Sequence, residues 1–370
     1  MAYTPHQKIK PQHVADTYVG LIYDELLLPN LITPGSFDGF KGKQDDTVNV
    51  KVPGLLPARS YAFRNDRDND GIQFDQYAET TVALTFTAGR IYSAVEVTDE
   101  QNDFDQTTVD FLAPTQARAV ARGMENDTAN TMRNADYEVV VGGAEKDPYR
   151  ALVEARKLLN KFRVQGARNL VVGTDFEAAL LLDKRFTAAV SSGNEAGGIL
   201  RSGNIGNWVG FNIFVSDLIE PDEAIAFTDT SFAFAVAAPY VPGSVPFGAT
   251  AASDGYALRW IRDYDLRYVV DRSLVDCYFG SRQIKDRGWV VNEIAADKPK
   301  SAGKGGAGTT INEKVWEEKV LPGEYNVRSF KVKLDDATAA DVTGAASNDF
   351  RTHLGVAANG VINVPDPVTP

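Results

Sequence analysis

The spacing of apolar and polar residues changes along this chain, and each change marks an element. Val48, Val50 and Val52 alternate with polar neighbours on the way out, and Val82, Leu84 and Phe86, then Ile91, Val95 and Val97, line the way back. These runs carry the period of half-buried strands. Between them lies a charged tip, Arg64-Asn65-Asp66-Arg67-Asp68-Asn69-Asp70-Gly71. The pattern predicts a long two-armed ribbon over residues 39–97. A ribbon of this kind has almost no core, and an isolated hairpin is marginal in water. Its arms need a surface to lie on, and another copy of the same chain is the natural candidate. The chain therefore reads as a subunit of an assembly.

Residues 1–38 read as an arm, with one short helix from Tyr18 stopped at Pro29. Beyond the ribbon, Thr98-Asp99-Glu100 caps a helical stretch. A longer helical pattern then runs from Thr107 to Asn134, with Leu112, Val120, Met124 and Met132 on one side. Pro114 predicts either a kink or a helix starting near it. Glu138–Val141 reads as a strand ended by two glycines, and Asp147-Pro148 as a helix start. A strand at Leu170–Val172 and a helix over Thr174–Leu182 follow, then strands at Val209–Val215, Ala224–Phe227 and Phe232–Val236. Pro239–Asp254 reads as turns, and strands return at Tyr256–Tyr264, Leu266–Val270, Leu274–Phe279 and Trp289–Val291. The fold class is α+β, with the last strands pairing back onto earlier ones around an inserted compact α/β unit. Ala295–Thr310 has linker composition. The alternation from Tyr325 to Leu334 beyond it fits either a small appended β element or a long arm.

Composition narrows the function. With 44% apolar residues in 370 the chain can build a real core, and its net charge of −12 argues against general binding to nucleic acid or anionic membrane. It would suit a container that must not stick to packed DNA. A single cysteine, Cys277, rules out an internal disulfide and reads as a small buried strand residue. The first 30 residues lack the pattern of a signal peptide, and no apolar run reaches the length of a membrane span, so synthesis in a cytoplasm is expected. The three histidines, His6, His13 and His353, leave no central imidazole for general-base or metal chemistry, so no enzyme and no cofactor is expected. Gly303–Thr310 departs from a phosphate loop because Lys304 comes too early. Asp66, Asp68, Asp70 and Gly71 match the start of a calcium loop, but Tyr77 stands where the closing glutamate belongs. A charged turn in which Arg64, Asp66, Arg67, Asp68 and Asp70 pair with a neighbouring subunit is the preferred reading. Trp260, Tyr264 and Tyr268 read as core and interface aromatics. Arg259, Arg262, Asp263, Asp265, Asp271 and Arg272 read as one paired network on a single strand face, fixing register at a subunit boundary.

Several segments, taken in order, resemble the major capsid proteins of tailed bacteriophages. They are Leu21–Leu26, Gly42–Pro53, Leu112-Ala113-Pro114, Val215–Ile219 and Ala257–Asp265. The ordered set is most similar to the Salmonella podovirus type and covers residues 1–295. The resemblance implies the Hong Kong 97-type capsid fold. Its parts would be an N-terminal arm (1–38), an extended E-loop ribbon (39–97), a spine helix with the peripheral domain (98–146), an axial domain (147–255) and returning peripheral strands (256–295). Residues 296–370 would be a C-terminal linker and small β extension, free to decorate the shell or clasp adjacent capsomers. The implied function is self-assembly as hexamers and pentamers into an icosahedral shell around double-stranded DNA, in a virion built in the host cytoplasm. A separate scaffolding protein, a portal protein and optionally a decoration protein are the implied partners. No lysine lies between Lys51 and Lys146, so the ribbon lacks the amine for the cross-link some members form, and non-covalent stabilisation is expected. Two alternatives stay open: an encapsulin-like compartment holding cargo enzymes, and a calcium-dependent surface adhesin.

Overall fold

The computed structural model describes residues 11–34, 48–52, 54–58, 74–77, 79–84, 89–104, 112–143, 147–164, 166–183, 206–245, 247–294, 316–344 and 348–364. The chain divides into two compact units. Unit 1 gathers Met1–Val50, Ala83–Ala135 and Gly166–Ile284; unit 2 gathers Lys51–Val82, Asp136–Gln165 and Lys285–Pro370.

Unit 1 is built on a sheet ordered β1 (Thr33–Pro34), β10 (Phe232–Ala237), β13 (Val270–Gln283), β12 (Tyr256–Asp265) and β11 (Phe247–Ser253). The long β13 organises it. Its first half lies between β12 and β4 (Arg90–Thr98), and its second half pairs with β10. Helix α3 (Ala113–Arg133) packs on β13 and β4, and α1 (Pro11–Glu25) packs on α3, β11 and β12. Pro114 lies in the first turn of α3, where its missing N–H costs nothing, and the helix runs unbroken to Arg133. Its buried stripe of Ala117, Val120, Ala121, Met124, Thr128 and Met132 has helical spacing. Gly123 lets α3 approach the sheet, since a Cβ there would stand 2.5 Å from Ile91 Cγ2. A second set of strands, β9 (Glu223–Thr228), β6 (Arg168–Val172), β8 (Phe211–Val215) and β7 (Asn207–Trp208), follows in that order, with only β6 and β8 parallel. Helix α5 (Thr174–Leu182) starts where Pro221 O accepts from Asp175 N (3.0 Å) and Phe176 N (2.9 Å).

Unit 2 holds β17 (Val361–Asn363), β5 (Val140–Gly142) and β16 (Ser329–Lys333), with β5 central and parallel to both, and α4 (Pro148–Phe162) packs on β5 and β16. Asp147 caps α4 by accepting from Arg150 N (3.3 Å). The hairpin β14 (Asp286–Ile294) with β15 (Trp316–Tyr325) and the short helix α6 (Asn348–Leu354) complete it. Phe350 is fully buried, with ring centroids 4.3 Å from Tyr325, 5.1 Å from Trp289 and 6.0 Å from Phe162. A separate two-stranded ribbon joins β2 (Val48–Val52) to β3 (Thr80–Leu84).

Several sequence expectations need correction. The stretch Ile91–Val97 is no ribbon arm: Gly89 adopts φ +66, and the strand beyond it enters the main sheet on β13, so the ribbon's described strands end at Leu84. The N-terminal helix begins earlier than Tyr18, at Pro11, because Ala15, Tyr18, Val19 and Ile22 form one buried stripe. The segment Pro239–Asp254 holds a strand, β11, whose small residues hide its period. It returns through Asp254-Gly255, both at positive φ, the geometry an Asp-Gly hairpin turn requires. Leu266–Val269 is a turn, not a strand. Helix α4, expected in the inserted α/β unit with the strands after it, instead packs on β5 and β16 in unit 2. Residues 316–364 are no appendage, because they supply two of the three parallel strands and two of the four rings, Tyr325 and Phe350, of the aromatic cluster of unit 2.

Candidate assembly surface

The β12–β13 hairpin carries the features that bear on assembly. Its register sets Arg259 opposite Asp276, Asp263 opposite Arg272, Tyr264 opposite Asp271 and Asp265 opposite Val270. Side chains alternate faces along a strand, so odd and even positions of β12 cannot share one network. The expected single network is thus divided. Arg259 and Asp276 lie on one face with Asp263, Asp265 and Arg272; Arg262 and Asp271 lie on the other, with Trp260 and Ser273. On this second face Trp260 Nε1 donates to Ser273 Oγ (3.0 Å), Ser273 Oγ to Gln116 Oε1 (3.0 Å) and Tyr18 Oη to the same Gln116 oxygen (2.9 Å), so the strands are held to α3 and α1.

Deep in the stem, Asp276 is fully buried and Arg259 is 5% exposed. The guanidinium grips the carboxylate with two bonds, Nε to Oδ1 at 2.9 Å and Nη2 to Oδ2 at 2.5 Å, and also donates to Tyr240 O. Arg90 Nε stands 3.3 Å from Asp276 Oδ2, while Arg90 Nη2 donates to Tyr278 Oη (3.1 Å). Arg259 is therefore an internal strut whose guanidinium is spent within its own unit. Nearer the tip, Arg262 Nε donates to both Asp271 oxygens (3.1 and 2.9 Å). Arg272 bridges Asp265 (2.6 Å) and Glu96 on β4 (3.4 Å). Asp263 is exposed, and its carboxylate accepts from Tyr264 N (2.9 Å). Tyr264 Oη donates to Asp99 Oδ2 (2.8 Å), and this bond holds the phenol above its ordinary range.

The tip itself is turned to solvent and carries three apolar side chains beside Arg267. Leu266 is 83% exposed, Tyr268 61% and Val269 49%. The Tyr268 ring lies under the guanidinium groups of Arg267 (5.5 Å) and Arg272 (5.6 Å), which fix its plane. Asp265 Oδ1 accepts from Arg267 N (2.9 Å), closing the turn. Reading Leu266–Val270 as a strand concealed this knob. The available signal was that only five residues, four of them apolar, separate Asp265 from Asp271, the length of a hairpin connection between the strands on either side. Arg64, Asp66, Arg67, Asp68 and Asp70, with the calcium reading of the three aspartates, lie outside the described residues. Among the described residues no group of three or more His, Cys, Asp or Glu is placed to hold a metal ion. None of the described helices is long and apolar enough to cross a membrane.

Comparison with known proteins completes the picture. The model of the phage capsid protein family matches residues 78–276. No curated protein matches the chain. A solved structure from Mycobacterium phage Che8 is similar at 18% identity and TM-score 0.50, over 70% of this chain and 88% of that one. The bacteriophage PhiM1 mature capsid is similar at 10% identity and TM-score 0.49, over 83% of this chain and 86% of that one. The capsid of an empty GTA particle follows at 8% identity and TM-score 0.44, over 90% and 95%. The fold assignment rests on the first of the three, and these findings reach the family without singling out the Salmonella podovirus type. With more than half its length under the family's model and the fold of a solved phage structure, the chain belongs to the phage capsid protein family, as a tailed-phage major capsid protein of Hong Kong 97-like fold.

Proposed function

We propose that this shell protein assembles as hexamers and pentamers into an icosahedral capsid enclosing double-stranded DNA, in the host cytoplasm, with a separate scaffolding protein and a portal. The observation that carries the reading is the β12–β13 tip. Three neighbouring apolar side chains, Leu266, Tyr268 and Val269, face water on a stem cross-braced by ion pairs on both faces. A lone exposed apolar residue needs no explanation, but a rigid cluster of them is what an interface core looks like before its partner arrives. Asp263, Arg262, Asp271 and Arg272 would form the polar rim of that contact. The ribbon of β2 and β3 would lie across a neighbouring subunit, strands β6 to β9 would face the capsomer axis, and the N-terminal arm would tie into the same contacts. The net charge of −12 suits an inner wall that does not bind the packaged genome.

The test is Leu266→Ser with Tyr268→Ser, made in the full chain and co-expressed with the phage's scaffolding protein. Thermal unfolding of the unassembled subunit is expected to stay within about 0.5 kcal/mol of wild type, because the tip supports no core. Sedimentation and negative-stain microscopy are expected to show capsomers or subunits in place of closed shells. Shells of normal size and yield would remove the tip from the assembly surface.

A further inference from the structure

Glu138 stands just before β5 and is 3% exposed, with three distant stretches of unit 2 closing around it. Asn326 N donates to its Oε2 (2.7 Å), and Asn326 Nδ2 donates to Asp136 O (2.9 Å). Gly344 N donates to Tyr137 O (2.9 Å), and a Cβ at Gly344 would stand 2.6 Å from Glu138 Cγ. Val140 N donates to Gly360 O (3.1 Å), and a Cβ at Gly360 would stand 2.7 Å from the Glu138 carbonyl. The charged groups facing the carboxyl are Lys285, Arg351 and Asp136. Lys285 Nζ is engaged with Asp136 Oδ2 (2.7 Å). Arg351 Nη2 donates to Gly344 O (3.3 Å), while its Nε is buried with no hydrogen-bond partner among the described residues. Among the described residues no cation stands within ion-pair distance of the Glu138 carboxylate, so the buried group has no direct counter-charge there.

We propose that Glu138 is a proton-operated latch on the C-terminal segment of unit 2: neutral, it lets the chain close at Asn326, Gly344 and Gly360, and ionised, it loosens that closure. Burial pushes the carboxyl up, the Asn326 N–H and Lys285 pull it back, Asp136 adds to the rise, Arg351 opposes it, and the result is about 7. An unfolded glutamate titrates near 4.5, so the folded unit binds this proton more tightly than the open chain does. Closure is accordingly strongest below the unfolded value and is lost as pH rises through the folded one. This inference concerns the folding of one unit and stands or falls apart from the proposed shell.

The test is hydrogen exchange of the full-length chain, read at the Val140 and Gly344 amides and corrected for intrinsic exchange rates. Between pH 5.5 and 8.0 the opening constant is expected to rise about 30-fold in wild type, the ratio that linkage gives for these two affinities. In Glu138→Gln, which keeps an acceptor for Asn326 N and loses the charge, that rise is expected to vanish. Lys285→Met is expected to move the wild-type midpoint to higher pH, because it removes a cation that favours the ionised form. An equal pH dependence in wild type and Glu138→Gln overturns the proposal. A midpoint unmoved in Lys285→Met does so too, and that variant carries the test alone if Glu138→Gln does not fold.

Discussion

The buried pair of Arg259 and Asp276 gives the sharpest energetic test of the stem. Asp276 lies on the central strand, fully buried, with a cation on either side: Arg259 in bidentate contact and Arg90 at 3.3 Å. The two arginines are not equivalent, because the Arg259 side chain is 6% exposed and that of Arg90 is 44% exposed. Asp276→Ala strands Arg259 in the sheet with Tyr240 O as its one remaining partner among the described residues, and removing one member of a buried pair costs about 3–5 kcal/mol. Arg259→Met leaves Asp276 with Arg90, which can follow it, so the loss should be smaller, about 2 kcal/mol. Replacing both, as Arg259→Met with Asp276→Leu, removes the buried charges together and should recover most of the loss. Asp271→Ala, in a half-exposed pair with Arg262, should cost about 1 kcal/mol or less. Urea unfolding of the unassembled subunit, followed by circular dichroism with midpoint and slope fitted together, ranks the four. Arg259→Met proving as damaging as Asp276→Ala would refute the reasoning, since Arg90 would then offer no compensation.

The remaining predictions probe packing. Gly173→Ala would set a Cβ 2.1 Å from Glu220 O and 2.7 Å from Pro221 O, both backbone atoms, so a loss of about 2–3 kcal/mol in thermal unfolding is expected. Gly123→Ala meets a side-chain methyl, Ile91 Cγ2, at 2.5 Å and no backbone atom, so it should cost less, about 1–2 kcal/mol; the reverse ranking would contradict the two contacts. Phe350→Ala removes the ring that joins Tyr325, Trp289 and Phe162, for about 3–5 kcal/mol, and should raise hydrogen exchange in β16 and β17 while sparing β13. Cys277 is fully buried, and burial together with Asp276 pushes its thiol up, so it should react with a thiol reagent only at the rate of unfolding. Prompt labelling of the folded chain would place that strand face elsewhere.

Much of both units was legible because many of their elements announce themselves locally. Asp147-Pro148, Pro114 and the Val-rich strands carry caps, starts and periods that need no tertiary context. What escaped depended on context. The alternation of Ile91, Val95 and Val97 fits a ribbon arm and a sheet strand equally well, and only the turn at Gly89 and the α3 surface choose between them. The small residues of β11 have almost no apolar signal, although Asp254-Gly255 marked its hairpin. The C-terminal segment looked detached because a glycine- and lysine-rich stretch precedes it. Yet Lys331 of β16 and Val361 of β17 pair with Val140, 191 and 221 residues earlier, and parallel pairing at that distance leaves no local trace. At the candidate surface, residue types were read correctly as charged and aromatic, but their sorting needed the register. One residue of parity separates Arg259, a buried strut, from the half-exposed Arg262 next to the tip.

That sorting has a consequence for assembly. A contact repeated by symmetry multiplies a modest energy, but only if each copy presents it in the same orientation. Charges exposed at the tip would be hydrated and mobile, adding little to such a contact. Here the paired charges lie along the stem within one subunit, and Arg267, the one charge in the turn, lies over the Tyr268 ring, so the apolar part of the exposed end is Leu266, Tyr268 and Val269. The Tyr268 ring, covered by two guanidinium groups, has little rotamer freedom left to lose when a partner docks. In the proposed shell the hairpin is thus ordered during folding, before assembly begins. The entropy of fixing it is then not charged against each inter-subunit contact, and a small apolar tip is enough to hold a place in a closed lattice.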